Sequence, residues 1–438
     1  MSSRSRFARI AGLLSLAAAA AAVGVAAWQA ASPSAPVPTH AGHRPAFETT
    51  PAVPATFQQQ SYAAGDLAEL VLWRREDAFS VQFFRVSPRA PGWTHTTMAG
   101  TAVSPLRHFG ATDPHVPIGL RIGNWPSGLY FAQLEADGLT GYAPFVIRPT
   151  HLGEHRALVV MPTFTWQAYN FRDDDGDGRG DTWYDSSDTR TVRLDRPFMA
   201  RGVPPHFTTY DLPFLEWLAA TGKEADFLSD GDLGALTGAQ LARAYDLVAF
   251  PGHDEYVTAR EYAAVTGYRN LGGHLMFLSA DDFYWQVAQR GAAITRLEPW
   301  RTVGRPEAAL IGVGLFRNNR GARVGVWTVV DRKRWPWMFQ GMKLLHGRRF
   351  GSGGIEIDHT GPGTPRNITV VAEIPNLIGP GGTAQMTYYE TPAGAEVFAA
   401  GAFTLAGARD PLSRHLMDNL WRHLTVRGRC HGEARCPG

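Results

Sequence analysis

Short apolar runs separated by turn residues dominate the first part of the chain. From about residue 58 the pattern alternates through LAELVLW, FSVQFFRV, PIGLRIG, GLYFAQLEA and GYAPFVIRP, with no helical period between. A period of two puts one face of each segment in a core, and closely spaced turns join such segments as hairpins. Residues 58–150 are therefore expected to form an antiparallel β-sandwich. Beyond Arg148 the texture changes. ALVVMP, ADFLS, DLVAFPG and HLMFLSA are short apolar runs bounded by turn signals, and helical patterns such as LPFLEWLAATG and TAREYAAVTGYRNLGG lie between them. Strands alternating with helices predict right-handed crossovers and a mostly parallel, doubly wound α/β domain over residues 151–427. Residues 305–400 turn β-rich again, and DPLSRHLMDNLWRHLTVRG predicts a closing helix.

The flanks read differently. Arg4, Arg6 and Arg9 precede an alanine-dominated apolar run over residues 10–28. A basic start followed by such a run is a signal peptide or membrane anchor, assigned to residues 1–30. Residues 31–57, rich in Pro and Ala, are a linker. The expected location is secreted or anchored at a bacterial cell surface, with membrane contact only through the N-terminal segment. Both cysteines, Cys430 and Cys436, fall in the tail 428–438. Export would allow them to pair, whereas a reducing compartment would leave two thiols. With 44% hydrophobic residues, 19% charged and a net charge of +2, the chain is an ordinary globular protein with no electrostatic case for a nucleic-acid partner.

DDDGDGRGD, residues 173–181, places Asp173, Asp175 and Asp177 at positions 1, 3 and 5 of a calcium loop, with Gly178 at 6 and Asp181 at 9. Tyr184 stands where the bidentate glutamate belongs, and Asp185 follows it. A structural calcium ion held by Asp173, Asp175, Asp177 and Asp181 is one reading; a solvated acidic turn is the other.

In open α/β sheets ligands bind at loops leaving the carboxyl ends of strands. Here those loops read PTFTWQAYNF, PGHDEY and SADDFYW. The outline suggests a class I glutamine-amidotransferase-like fold, but such enzymes place a cysteine on the turn that here reads Gly252-His253-Asp254-Glu255. Neither a G-x-S-x-G elbow nor HExxH occurs, so thiol and serine nucleophiles of those types are excluded.

WPSGLYFAQL with APFVIRP, then VVMPTFTWQAYNF, FPGHDEYVT, GGHLMFLSADDFYWQV and MTYYETPAGAEVFAAG together resemble the large-subunit family of N,N-dimethylformamidase, over roughly residues 60–425. The resemblance implies a mononuclear iron, ferric in character, held by two tyrosines and a glutamate. Carried over by motif, these are Tyr169 of TWQAYN, Tyr210 of HFTTYDLPF and Glu255 of GHDEY. Hard anionic oxygen donors suit such an ion, which could polarise an amide carbonyl and acidify water. His253 reads as a general base or orienting residue, and Glu390 of YYETPAG resembles the family's distant catalytic carboxylate. Asp281 stands where the family typically has asparagine, as an acid where a hydrogen-bond donor is expected. The implied function is an exported iron amidohydrolase cleaving the C–N bond of a small amide. Self-association or a small partner subunit stays open. The competing reading is a cell-surface binding module that keeps the fold and the calcium loop but does no chemistry.

Overall fold

The structure is a computed structural model that describes residues 51–89, 94–185, 189–344, 348–403 and 405–426. The N-terminal apolar segment, most of the linker, and Cys430 with Cys436 lie outside those residues. The described residues belong to one unit, Arg44–Gly438, and among them no helix is long and apolar enough to cross a membrane.

The alternating segments, joined by Ala55–Phe57 from the end of the expected linker, form two small sheets. Ala55–Phe57, Leu67–Leu72 and Pro117–Arg121 make one, while Ser61–Tyr62, Leu139–Ile147, Gly128–Ala136, Phe79–Val86, Gly100–Ala102 and Arg107–Phe109 make the other. Phe57, Phe83, Tyr130 and Phe145 fill the core between them. Pairing is antiparallel except for Ser61–Tyr62, which runs parallel to Leu139–Ile147. The opposite face of the larger sheet is also buried: Leu129, Phe131 and Val146 join the main core of the following residues.

That main core surrounds an eleven-stranded sheet. Its order is Asp226–Ser229, Ala157–Met161, Leu247–Phe250, His274–Phe277, Glu396–Ala399, Ala384–Glu390, Thr369–Ile374, Val324–Val329, Arg349–His359 and Gly314–Asn318, with Ala402–Phe403 beside Arg349–His359. The first five run parallel. The remaining six are antiparallel to their neighbours.

This overturns the doubly wound, glutamine-amidotransferase-like α/β domain expected for residues 151–427. Strands occupy 35% of the chain against 18% for helices, and the strands are spread over several large sheets. The pattern that suggested the fold is local. ALVVM, LVAF and HLMF are buried at every position, as parallel strands covered on both faces must be. Beyond them the sheet grows by antiparallel pairing, which needs no crossover helix. The helices that were expected do form. Ala259–Asn270 starts in a capping box of Thr258 and Glu261 and stops before Gly272, whose φ of +90° suits glycine. Pro411–Leu424 is capped by Asp410, which accepts the N–H bonds of Leu412 and Ser413, and buries Leu416, Leu420 and Trp421 in the main core.

A four-stranded sheet completes the fold: Thr191–Arg193, Ala293–Pro299, Trp285–Arg290 and Tyr256–Thr258. Two of its strands directly follow the loops that leave Leu247–Phe250 and His274–Phe277, so it stands at the carboxyl end of the parallel strands.

Candidate functional site

Parallel strands release their loops at one end, and there the chemistry collects. The strand Ala157–Met161 leads through Pro162 into the short helix Thr163–Ala168, at whose end Tyr169 sits. Buried Asp230 fixes the start of that helix, accepting bonds from the Phe164 N–H (2.6 Å) and the Thr163 hydroxyl (3.0 Å). The Thr165 hydroxyl accepts the N–H groups of Glu255 (3.1 Å) and Tyr256 (3.3 Å), tying two loops together. Gly252 is needed where it stands: a Cβ there would lie 2.0 Å from Asp211 Oδ1 and 3.1 Å from Pro162 Cγ.

Glu255 is the centre of the cluster. Tyr169 donates to its Oε2 at 2.7 Å, and Tyr184 lies 3.0 Å from the same oxygen and 3.2 Å from the other. The Tyr169 and Tyr184 rings stack at 4.5 Å, and the Tyr184 hydroxyl is 2.5 Å from that of Tyr256. His253 Nε2 lies 3.1 Å from Glu255 and 3.3 Å from the Tyr169 hydroxyl, while Nδ1 faces the Ala280 carbonyl at 3.2 Å. Tyr210 does not bond Glu255, but it lines one narrow cavity with Tyr169, His206 and His253. Its ring stacks on His206 at 5.0 Å and packs 4.6 Å from Phe403.

Asp281 enters from the next loop. One ligand-capable atom each of His253, Glu255 and Asp281 lies within 4.8 Å of the others, and all three residues are buried. Two further acids reach in from the strand Arg349–His359. Glu356 Oε2 is 3.8 Å from His253 Nε2, and its Oε1 accepts from Asn318. Asp358 accepts the Asp281 N–H at 3.1 and 3.2 Å.

So many acids around one imidazole perturb one another. Burial pushes Glu356 up to about 7; the charge of Glu255 adds to this and that of His253 opposes it. Asp281 is held well above the usual carboxylate range by burial and then by Glu255, Glu356 and Asp358. Burial alone would lower the pKa of His253, but its bond to Glu255 and the charges of Glu356, Glu255 and Asp282 outweigh that and push it up to about 9. Burial, then the charge of Glu255, raises the Tyr169 and Tyr184 phenols well above 10.0. They would ionise only beside a strong positive charge.

The donor set fits a hard cation. Carboxyl oxygens of Glu255 and Asp281 lie close together, the Tyr169 hydroxyl bonds Glu255, and Tyr210 borders a cavity with Tyr169 and His253. Asp281 Oδ1 and Glu356 Oε2 are buried yet accept no hydrogen bond, a state that costs free energy unless something positive lies nearby.

Of the residues singled out in the sequence, Tyr169, His253, Glu255 and Asp281 come together, and Tyr210 stands beside them. Glu390 does not join them. It pairs with Glu396, at the amino end of Glu396–Ala399, whereas the site lies at the other end, where Ala399 is beside Phe277. Glu356, Asp358 and Tyr184 are the participants the sequence reading missed. Alternating acids in GIEIDH could have marked the first two, since one strand face would carry both. In the acidic loop, oxygens of Asp173, Asp175 and Asp177 lie within 4.8 Å of one another. Asp181 instead accepts the Asp174 N–H at 2.7 Å, and Asp185 that of Gly180 at 2.6 Å.

Residues 115–415, which include every member of the cluster, match the family described as N,N-dimethylformamidase beta subunit-like, C-terminal. Two curated relatives bear the name N,N-dimethylformamidase beta subunit. One, from Alcaligenes sp, is 38% identical over 77 residues; the other, from Paracoccus aminophilus, is 35% identical over 78 residues. Each match covers 18% of this chain and 10% of the relative, so the chain matches about a tenth of either curated protein. A glucanotransferase from Paenibacillus sp. overlaps 81% of this chain and 69% of its own at 7% identity, but its TM-score of 0.18 carries no structural argument. The family match spans well over half of the chain, and the chain therefore belongs to the N,N-dimethylformamidase beta subunit-like family through its C-terminal region.

Proposed function

We propose that this chain is an iron-dependent amidohydrolase that splits the C–N bond of a small linear amide. One observation carries the reading: buried Glu255, His253 and Asp281 with half-buried Tyr169 cluster at the carboxyl ends of parallel strands, inside the family-matched residues, with more anionic groups than cationic ones. Tyr169, Tyr210 and Glu255 would hold the ion. When bound, it would supply Lewis-acid polarisation of the amide carbonyl and lower the pKa of water.

The chain's own residues would manage protons and orientation. With Nδ1 directed at the Ala280 carbonyl, His253 turns Nε2 toward Glu255 and the Tyr169 hydroxyl, the side on which it would take a proton from the attacking water and hand it to the leaving nitrogen. Water adds to the carbonyl carbon, the C–N bond breaks, and the products are a carboxylic acid and an amine. Glu356, 3.8 Å from His253, is the carboxylate placed to hold the imidazole and its charge; Glu390 is too remote for that role. Trp166, Pro162 and Pro205 line the narrow cavity beside Tyr210, which favours a small substrate.

The same reading keeps calcium in the loop carrying Asp173, Asp175 and Asp177 as a structural ion, and export by residues 1–30. The relatives' designation as a beta subunit supports a partner chain. The test is amine release from a panel of small formamides and acetamides by the iron-loaded chain. Loss of a general base costs about 10²–10⁴ in rate, so His253→Ala should keep iron and lose most turnover, while Glu255→Ala should lose both. A chain that holds iron yet releases no amine from any amide would leave the binding-module reading as the better one.

A further inference from the structure

Asp281 is built into the cluster with unusual care. Its backbone sits at φ +56°, a left-handed conformation that aspartate and asparagine tolerate better than most residues. Both oxygens of Asp358 receive its N–H, which fixes the turn. The side chain is 4% exposed, lies within 4.8 Å of ligand-capable atoms of Glu255 and His253, and leaves Oδ1 without a hydrogen-bond donor. Arg301, which also feels the charge of Asp281, is bonded to Glu307 and to the Leu315 carbonyl instead. The Asp281 carboxyl carries an oxygen with no hydrogen-bond donor and reaches within 4.8 Å of ligand atoms of Glu255 and His253, so a cation bound to Glu255 is within its reach.

We propose that Asp281 is a direct ligand of the metal ion held by Glu255, adding a carboxylate oxygen to the two tyrosines and the glutamate. The inference rests on the metal-site reading above and concerns this chain's own aspartate. A further anionic donor raises affinity for a highly charged ion and makes that ion a poorer electron acceptor. A tyrosinate-to-iron absorption band therefore lies at shorter wavelength with Asp281 present than without it.

The experiment compares the full wild-type chain with Asp281→Asn. Asparagine keeps the shape, the left-handed backbone and the Asp358 contact, so a single cooperative melt at a temperature no lower than the wild type's serves as the folding control. Each apo-protein is titrated with citrate-buffered iron(III) and separately with zinc, against a competing chelator. Outer-shell partners of a metal already contribute about 10–100-fold to affinity, so loss of a direct ligand should weaken both metals by at least about tenfold and move the iron band to longer wavelength. Equal affinities and an unshifted band would place Asp281 outside the coordination shell while leaving the iron reading intact. If iron gives no band but zinc binds in an Asp281-dependent way, the tyrosinate reading falls and this assignment stands. A wild type that binds neither metal overturns both.

Discussion

Replacing Asp230 with asparagine tests how the helix bearing Tyr169 is anchored. Asp230 is buried, accepts from Phe164 and Thr163, and faces two further buried acids, Asp254 and Glu261. Burial pushes its carboxyl up to about 7 from 3.8, against bonds that act to lower it. The sign follows from proton linkage: between about pH 4 and pH 7 the folded state keeps a proton that the unfolded chain releases, so stability falls as pH rises. The shift of 7 − 3.8, about 3 units, at about 1.4 kcal/mol per unit sets an upper limit near 4 kcal/mol. Asp230→Asn cannot ionise, still accepts from Phe164 and Thr163, and can donate to a neighbouring acid. Urea unfolding from pH 4 to 8 should show the variant gaining on the wild type with rising pH, with the difference growing by at most about 1.4 kcal/mol per unit. A difference that stays flat, or that shifts toward the wild type as pH rises, would refute the argument.

Two other outcomes follow from the geometry. Tyr184→Phe removes a phenol from Glu255 while keeping the ring that stacks on Tyr169; metal affinity, read by chelator competition, should fall about 10–100-fold with stoichiometry unchanged. If the acidic loop binds calcium, chelation should lower the melting temperature, since an ion at 100 times its Kd stabilises by about 2.7 kcal/mol; Asp175→Ala should mimic the chelator and make it ineffective.

Local features were the legible ones. The helical segments TAREYAAVTGYRNLGG and DPLSRHLMDNLWRHLTVRG form helices as expected, because helical periodicity and caps are short-range chemistry. PGHDEY and SADD were legible as loops leaving strands, and His253, Glu255 and Asp281 meet there. What failed depends on distant pairing. Nothing within Thr369–Ile374 or Ala384–Glu390 says that these strands extend the parallel sheet antiparallel to Glu396–Ala399. Glu356 and Asp358 resemble the wet face of a strand until Asp281 and His253 are packed against them. Tyr184 occupies a ligand position of the calcium pattern, yet its hydroxyl turns to Glu255. Glu390 shows the converse, a motif-based assignment that the hairpin carries to the far end of the sheet.

The central claim is that two phenols and Glu255 hold iron, and absorbance with metal analysis of the iron-loaded chain tests it most directly. The account predicts one iron per chain and a visible tyrosinate-to-iron band that Tyr169→Phe and Tyr210→Phe each weaken or abolish. An iron-loaded protein without that band, or a band indifferent to both substitutions, would contradict it.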